Sequence, residues 1–257
     1  MKSIKVGEFE LSSRLFLGSG KYRSNQEMIN SVKSSGTQVV TASLRRMDFG
    51  KGESLLKPLL ENKDIILLPN TAGARTADEA VFYAELAAEA GLPKWIKLEL
   101  TPEPRYLLPD PAETLRATEI LIKKGFKVLP YINADPMIAL RLQDAGASTV
   151  MPLAAPIGTN RGIIMEEMIR IIIEQARVPV VVDAGIGAPS DAAKAIEMGA
   201  DFVLVNTAIA TAKDPVKMGE AFKKAIDAAL IAVEAGIPEK YSNAQASSPE
   251  LSFIDKL

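Results

Sequence analysis

Lys94-Trp95-Ile96-Lys97-Leu98-Glu99-Leu100 lies between Gly91-Leu92-Pro93 and Thr101-Pro102. Apolar and charged side chains alternate along it, which is the period-two pattern of a β-strand. Trp95, Lys97 and Glu99 therefore share one face, and Ile96, Leu98 and Leu100 share the other. If the aliphatic face packs beneath helices, the first face turns an amine and a carboxylate toward whatever the sheet encloses. Inside a closed barrel both charges would be buried, and a buried charge is costly unless it is paired or its pKa moves. A lysine in that position is a candidate functional group. The plainer alternative is an exposed edge strand with a solvated Lys and Glu, so the surrounding chain has to decide.

The flanking sequence repeats one unit. Strand-like runs from Leu15 to Gly18, Val39 to Ala42 and Ile65 to Pro69 precede the stretch; runs from Lys127 to Ile132, Thr149 to Leu153, Val178 to Val182 and Phe202 to Val205 follow it. Helical patterns alternate with them. They run from Asn25 to Ser34 behind the cap Ser24, around Ser54 to Glu61, and from Thr76 to Ala90 with a Thr-x-x-Glu capping box at Thr76 and Glu79. Further helices run from Pro111 to Lys124, from Asp135-Pro136 to Asp144, from Met165 to Ala176, from Pro189 to Gly199 and from Asp214-Pro215 to about Ala235. Short apolar strands alternating with helices define an α/β protein, and eight of them select a (β/α)8 TIM barrel. A doubly wound open sheet would want a third glycine after Gly18-Ser19-Gly20, and none stands at the required offset.

The length of 257 residues suits a single barrel domain. Ile4-Lys5-Val6 and Phe9-Glu10-Leu11 around Gly7-Glu8 predict an N-terminal β-hairpin within residues 1–12. Residues 237–257 have no periodicity and are expected to form a flexible C-terminal tail that orders only against something else.

Hydrophobic residues make up 47% and charged residues 24%, as in soluble globular proteins. A net charge of -2 argues against nucleic acid as a partner. No apolar run is long enough for a membrane span and Met1-Lys2-Ser3-Ile4 does not open a signal peptide, so a cytoplasmic protein is expected. The chain has no Cys and no His. That removes the thiolate nucleophile, the usual neutral-pH base and the commonest metal ligand, so chemistry falls to Lys, carboxylates, Tyr and backbone donors. Neither a metal nor a cofactor is expected.

Barrel active sites lie at the C-terminal ends of the strands. Those positions hold Gly18-Ser19-Gly20-Lys21, Ser43-Leu44-Arg45-Arg46, Asn70-Thr71-Ala72-Gly73, Lys97, Glu99, Tyr131, Gly158-Thr159-Asn160-Arg161-Gly162, Asp183-Ala184-Gly185-Ile186-Gly187 and Asn206-Thr207-Ala208. Gly185 and Gly187 after the seventh strand would let backbone N–H groups approach an anion, and Asn206-Thr207 after the eighth could open a short helix facing the same point. These are the loops where barrel enzymes commonly hold phosphate. An inward lysine beside a phosphate site, without His or metal ligands, points to Schiff-base chemistry on a sugar phosphate. Desolvation would favour the free amine, and Glu99 and Asp183 are the carboxylates in reach to move protons.

At these residues the chain resembles a known family, the thiazole synthases of thiamine biosynthesis. The resemblance rests on Gly18-Ser19-Gly20-Lys21-Tyr22, Leu68-Pro69-Asn70-Thr71-Ala72-Gly73, Trp95-Ile96-Lys97-Leu98-Glu99, Leu108-Pro109-Asp110-Pro111, Met151-Pro152-Leu153, Pro156-Ile157-Gly158, Val182-Asp183-Ala184-Gly185-Ile186-Gly187 and Asn206-Thr207-Ala208-Ile209-Ala210. It implies an enzyme that condenses 1-deoxy-D-xylulose 5-phosphate, dehydroglycine (2-iminoacetate) and sulfur from a thiocarboxylated sulfur carrier protein into the thiazole phosphate. By the same resemblance Lys97 forms the imine with the ketose, Glu99 and Asp183 act as acid and base, and Gly158, Ala184, Gly185, Asn206 and Thr207 hold the sugar phosphate. It further implies a dehydroglycine-producing enzyme upstream and a homo-oligomer that binds the carrier. Three positions depart from the common wording: Thr159-Asn160 stands where many members read Ser-Gly, Ala74 where Cys is frequent, and Ile237 where Arg often follows the last Ala-Gly. Rival readings are another Schiff-base barrel, such as a class I aldolase or a ketose-phosphate-using pyridoxal phosphate synthase, and a noncatalytic phosphate-binding barrel.

Overall fold

Alternation along each strand sorts its side chains between the two sides of a closed sheet. The computed structural model of the chain describes residues 2–44, 59, 62 and 64–245. A hairpin of β1 (Ile4–Val6) and β2 (Phe9–Leu11) comes first. The parallel strands β3 (Leu15–Gly18), β4 (Val39–Ser43), β5 (Ile66–Asn70), β6 (Trp95–Leu98), β7 (Lys127–Ile132), β8 (Met151–Pro152), β9 (Val181–Asp183) and β10 (Phe202–Val205) follow. They pair in the order β8-β7-β6-β5-β4-β3-β10-β9, and bridges from Val150 to Val180 and from Leu153 to Asp183 close the ring. The described helices are α1 (Asn25–Ser35), α2 (Ala77–Glu89), α3 (Pro111–Lys123), α4 (Pro136–Asp144), α5 (Glu166–Gln175), α6 (Pro189–Glu197), the single turn α7 (Thr207–Ala210) and α8 (Pro215–Ala235). The chain is a (β/α)8 TIM barrel with an N-terminal hairpin.

The two faces expected of the central stretch are realised on β6. Ile96, Leu98 and Leu100 pack outward against Ala80 and Ala84 of α2 and Ala117 and Leu121 of α3. Trp95 points inward, into a cluster with Phe16, Val39, Leu68, Leu129, Met151, Val181, Phe202 and Leu204. Val6 and Leu11 of the hairpin join that cluster, and the Phe9 ring meets Trp95 edge-on at 4.6 Å. The hairpin thereby floors the barrel at the N-terminal ends of the strands. Two residues further along, the inward positions turn polar, with Thr41, Asn70, Lys97, Tyr131 and Asp183 all buried. Each of those strands carries an apolar inward residue below and a polar one above, so the floor is a packed core and the opposite end is the chemical one.

Helix starts follow the capping chemistry read from the sequence. Ser24, Asp110, Asp135 and Asp214 each accept first-turn N–H groups, with Pro at the start of the helices behind the three aspartates. At α2 the capping box is only half formed: Thr76 Oγ1 accepts from the Glu79 N–H, but the Glu79 carboxylate accepts from Arg75 N–H at 2.8 Å, one residue before the cap. Two strand boundaries also move. β9 begins at Val181 rather than Val178, because Pro179 has no N–H to give a ladder. β8 is reduced to Met151–Pro152 with isolated bridges at Val150 and Leu153, since Pro152 interrupts it in the same way.

The helix expected around Ser54 to Glu61 falls outside the described residues except for Leu59, which is buried. Of the expected tail, residues 237–245 are exposed and have neither helix nor strand, and the remainder lies outside the described residues. Among the described residues no helix is long and apolar enough to cross a membrane, and no cluster of carboxylates could hold a metal ion.

Candidate active site

At the chemical end of the barrel the upper inward residues open into a cavity of about 530 Å³. Lys97, Glu99, Asp183, Gly158, Ala184, Gly185, Asn206 and Thr207 all line it, so barrel closure brings together the eight residues that the resemblance names. Lys97 Nζ lies 2.6 Å from Asp183 Oδ2 and 3.2 Å from Glu99 Oε2. Asp183 Oδ2 is the nearer of the two carboxylate oxygens to the amine. All three side chains are at least nine-tenths buried. Tyr131 is buried beside Lys97, its ring centroid 5.3 Å from Lys97 Nζ and its hydroxyl without a hydrogen-bond partner.

The balance of charge differs from the simple desolvation argument. Burial pulls the Lys97 pKa down, but Asp183 and then Glu99 more than offset it, and the net shift is upward. Burial pushes Asp183 up and prevails over the ammonium beside it. The resting amine is therefore an ammonium, and it sits against a carboxylate whose proton affinity is raised. Burial, reinforced by the charges of Asp183 and Glu99, holds the Tyr131 phenol well above the ordinary tyrosine range, so it stays protonated.

Thr71 positions Glu99. Its Oγ1 accepts from Glu99 N–H at 2.8 Å and donates to Glu99 O at 2.9 Å, while Thr71 N–H bonds Lys97 O. The loop after β5 is thus stitched to the end of β6, which aims the amine and the carboxylate together. This role had no signal in the sequence beyond the position of Thr71 at a strand end.

The far wall of the cavity is built from strained backbone. Four described non-glycine residues have positive φ, Lys21 (69°), Leu107 (54°), Asn160 (51°) and Ala184 (58°), and all four line this cavity. Left-handed conformations in residues with a Cβ are costly and collect at functional sites. Gly185 follows Ala184 with φ 75°, and a Cβ on it would lie 2.5 Å from Ala155 N. Gly187 serves differently from the expected anion contact: its N–H is bonded to Asp191 Oδ2 at 3.0 Å, and its missing side chain makes room for the Asn160 carbonyl. The Asn206 side chain faces the loop after β3. Oriented to satisfy both carbonyls, its amide donates to Gly20 O at 2.8 Å and Gly18 O at 3.1 Å, pinning the loop after β3. The helix it opens is one turn, too short for an appreciable dipole.

This geometry agrees with comparisons against known proteins. The family model described as thiazole biosynthesis protein ThiG matches residues 5–249. A curated thiazole synthase of Porphyromonas gingivalis is 54% identical over 99% of both chains, and one of Marinomonas sp. is 54% identical over the full length of both. Among solved structures, the Amycolatopsis orientalis BexX/CysO complex contains a chain 30% identical to this one, with a TM-score of 0.84 over 95% of this chain and 100% of that one. A thiamine phosphate pyrophosphorylase of Pyrococcus furiosus, 17% identical with a TM-score of 0.61, shares the fold alone. Length, identity and coverage agree across these matches, and the chain belongs to the ThiG family, the thiazole synthases of thiamine biosynthesis.

Proposed function

We propose that this protein builds the thiazole phosphate through an imine between Lys97 and C2 of 1-deoxy-D-xylulose 5-phosphate. The observation that carries the reading is a buried amine wedged between two carboxylates in a cavity of substrate size. Asp183 takes the ammonium proton, the free amine adds to the ketone carbon, and water leaves as the imine forms. Glu99 and Asp183 then move protons on and off the carbon next to the imine, with Tyr131 available to donate a hydrogen bond to a developing oxyanion. The cradle of Gly158, Ala184, Gly185, Asn206 and Thr207 takes the phosphate. Dehydroglycine, made by a separate enzyme, supplies nitrogen and carbon.

Sulfur arrives as the thiocarboxylate of a carrier protein, a reading that the absence of cysteine from the chain fits. A partner protein is supported by the relative BexX, solved in complex with CysO. The experiment is reductive trapping. Borohydride added to the protein with the deoxyxylulose phosphate should add the mass of the reduced ketose phosphate at Lys97. No adduct at Lys97, or one only with a different sugar phosphate such as an aldolase substrate, would overturn the assignment.

A further inference from the structure

We infer that Lys21 is the cation that neutralises the substrate's phosphate, a role that rests on the sugar-phosphate reading above and sharpens it. The cradle as read from the sequence consists of neutral groups only, whereas a phosphate ester carries nearly two negative charges near neutral pH. Lys21 supplies the missing charge. Its Nζ donates to Thr207 Oγ1 at 3.1 Å, and it lies 2.9 Å from the point where a Cβ on Gly158 would stand. Thr207 and Gly158 are two of the proposed phosphate residues, and they come from two different loops, after β10 and after β8. Among the described residues no carboxylate forms an ion pair with this amine, so its charge is open to an incoming anion.

The local backbone is arranged to bring the amine there. Gly18 ends β3, where a Cβ would fall 2.5 Å from Asn206 Cβ, so only a glycine lets the loop approach β10 this closely. The Asn206 amide then clamps Gly18 O and Gly20 O. Lys21 leaves that clamp with φ 69°, a conformation in which glycine would be the easier residue. A strained lysine at a position suited to glycine, with its amine directed at Thr207, is better explained by the amine than by the turn.

The test compares half-saturating concentrations for borohydride trapping at Lys97, using 1-deoxy-D-xylulose 5-phosphate and the unphosphorylated 1-deoxy-D-xylulose. The wild type should prefer the phosphorylated ketose. Lys21→Gln and Lys21→Gly should each raise its half-saturating concentration by about 10- to 100-fold, the range of one charge-assisted hydrogen bond. Neither should alter trapping of the unphosphorylated sugar, and Lys21→Arg should recover part of the loss. The glycine variant separates the roles, because it accepts the left-handed turn without an amine; a turn-forming role would leave Lys21→Gly like the wild type. If the wild type prefers the phosphorylated sugar and both variants stay within about twofold of it, Lys21 is not the phosphate cation, while the proposed function stands. If the wild type itself shows no preference, the phosphate site fails and this inference with it.

Discussion

Lys97 takes its charge state from two neighbours that oppose what burial alone would do. An amine in an apolar pocket loses its proton readily; here Asp183 and Glu99 return it. Lys97→Met leaves two buried carboxylates facing each other without a cation, and at neutral pH should cost about 3–5 kcal/mol of unfolding free energy. The pH dependence of that cost has a definite sign. Because the folded-state pKa of Lys97 is raised, the stabilisation is fully present below the unfolded value of about 10.4 and is lost as pH rises through the folded value. Urea unfolding of both proteins at a series of alkaline pH values should therefore show a gap that narrows as the pH rises above about 10. A gap that widened with alkaline pH would contradict the ion-pair account.

The loop from β9 into α6 shows how an element is tuned by its backbone. Asp183 ends the strand inward, Ala184 and Gly185 both take left-handed φ, and Asp191 accepts from Gly187 and Ala188 N–H to start the helix. Gly185 has no alternative, since Gly162 N–H bonds its carbonyl at 2.8 Å and Ala155 occupies the space of any side chain. Gly185→Ala should destabilise by about 2–4 kcal/mol, through backbone strain together with the clash against Ala155. Ala184→Gly, at φ 58°, removes strain without opening a contact and should change stability by no more than about 1 kcal/mol. Thermal unfolding of the pair measures this; equal losses at both positions would show that φ is not what distinguishes them. Asn160 belongs to the same logic. It stands where the family wording reads Gly, and its φ of 51° is one that asparagine tolerates better than other residues with a Cβ.

Stability and chemistry occupy opposite ends of the barrel. The hairpin seals the lower end around Trp95, while the cavity sits above Lys97, two residues further along the same strand. Phe9→Ala should thus lower stability by about 2 kcal/mol, less than for a fully buried ring, and change the emission of Trp95, the single tryptophan of the chain. Trapping of the ketose at Lys97 should be unaffected in the folded variant. Loss of trapping with the fold intact would mean that the hairpin shapes the site as well as the floor.

The period-two pattern around Lys97 put the lysine and Glu99 on one face, and the count of eight such strands closed a barrel around that face. Both follow from local rules: alternation sets the face, and caps such as Asp110 and Asp135 set the helix starts. The pairing of Lys97 with Asp183 across the barrel was legible only as a possibility, because which inward residues meet depends on the register of strands far apart in the chain. The amine's protonation likewise depends on which charges lie nearby and not on burial alone. The left-handed turns at Lys21 and Ala184 carry no glycine to announce them, and the commitment of the Asn206 amide to Gly18 and Gly20 has no local signature. Local sequence sets where a side chain points, but its partners, its strain and its charge arise where distant loops close over the same cavity.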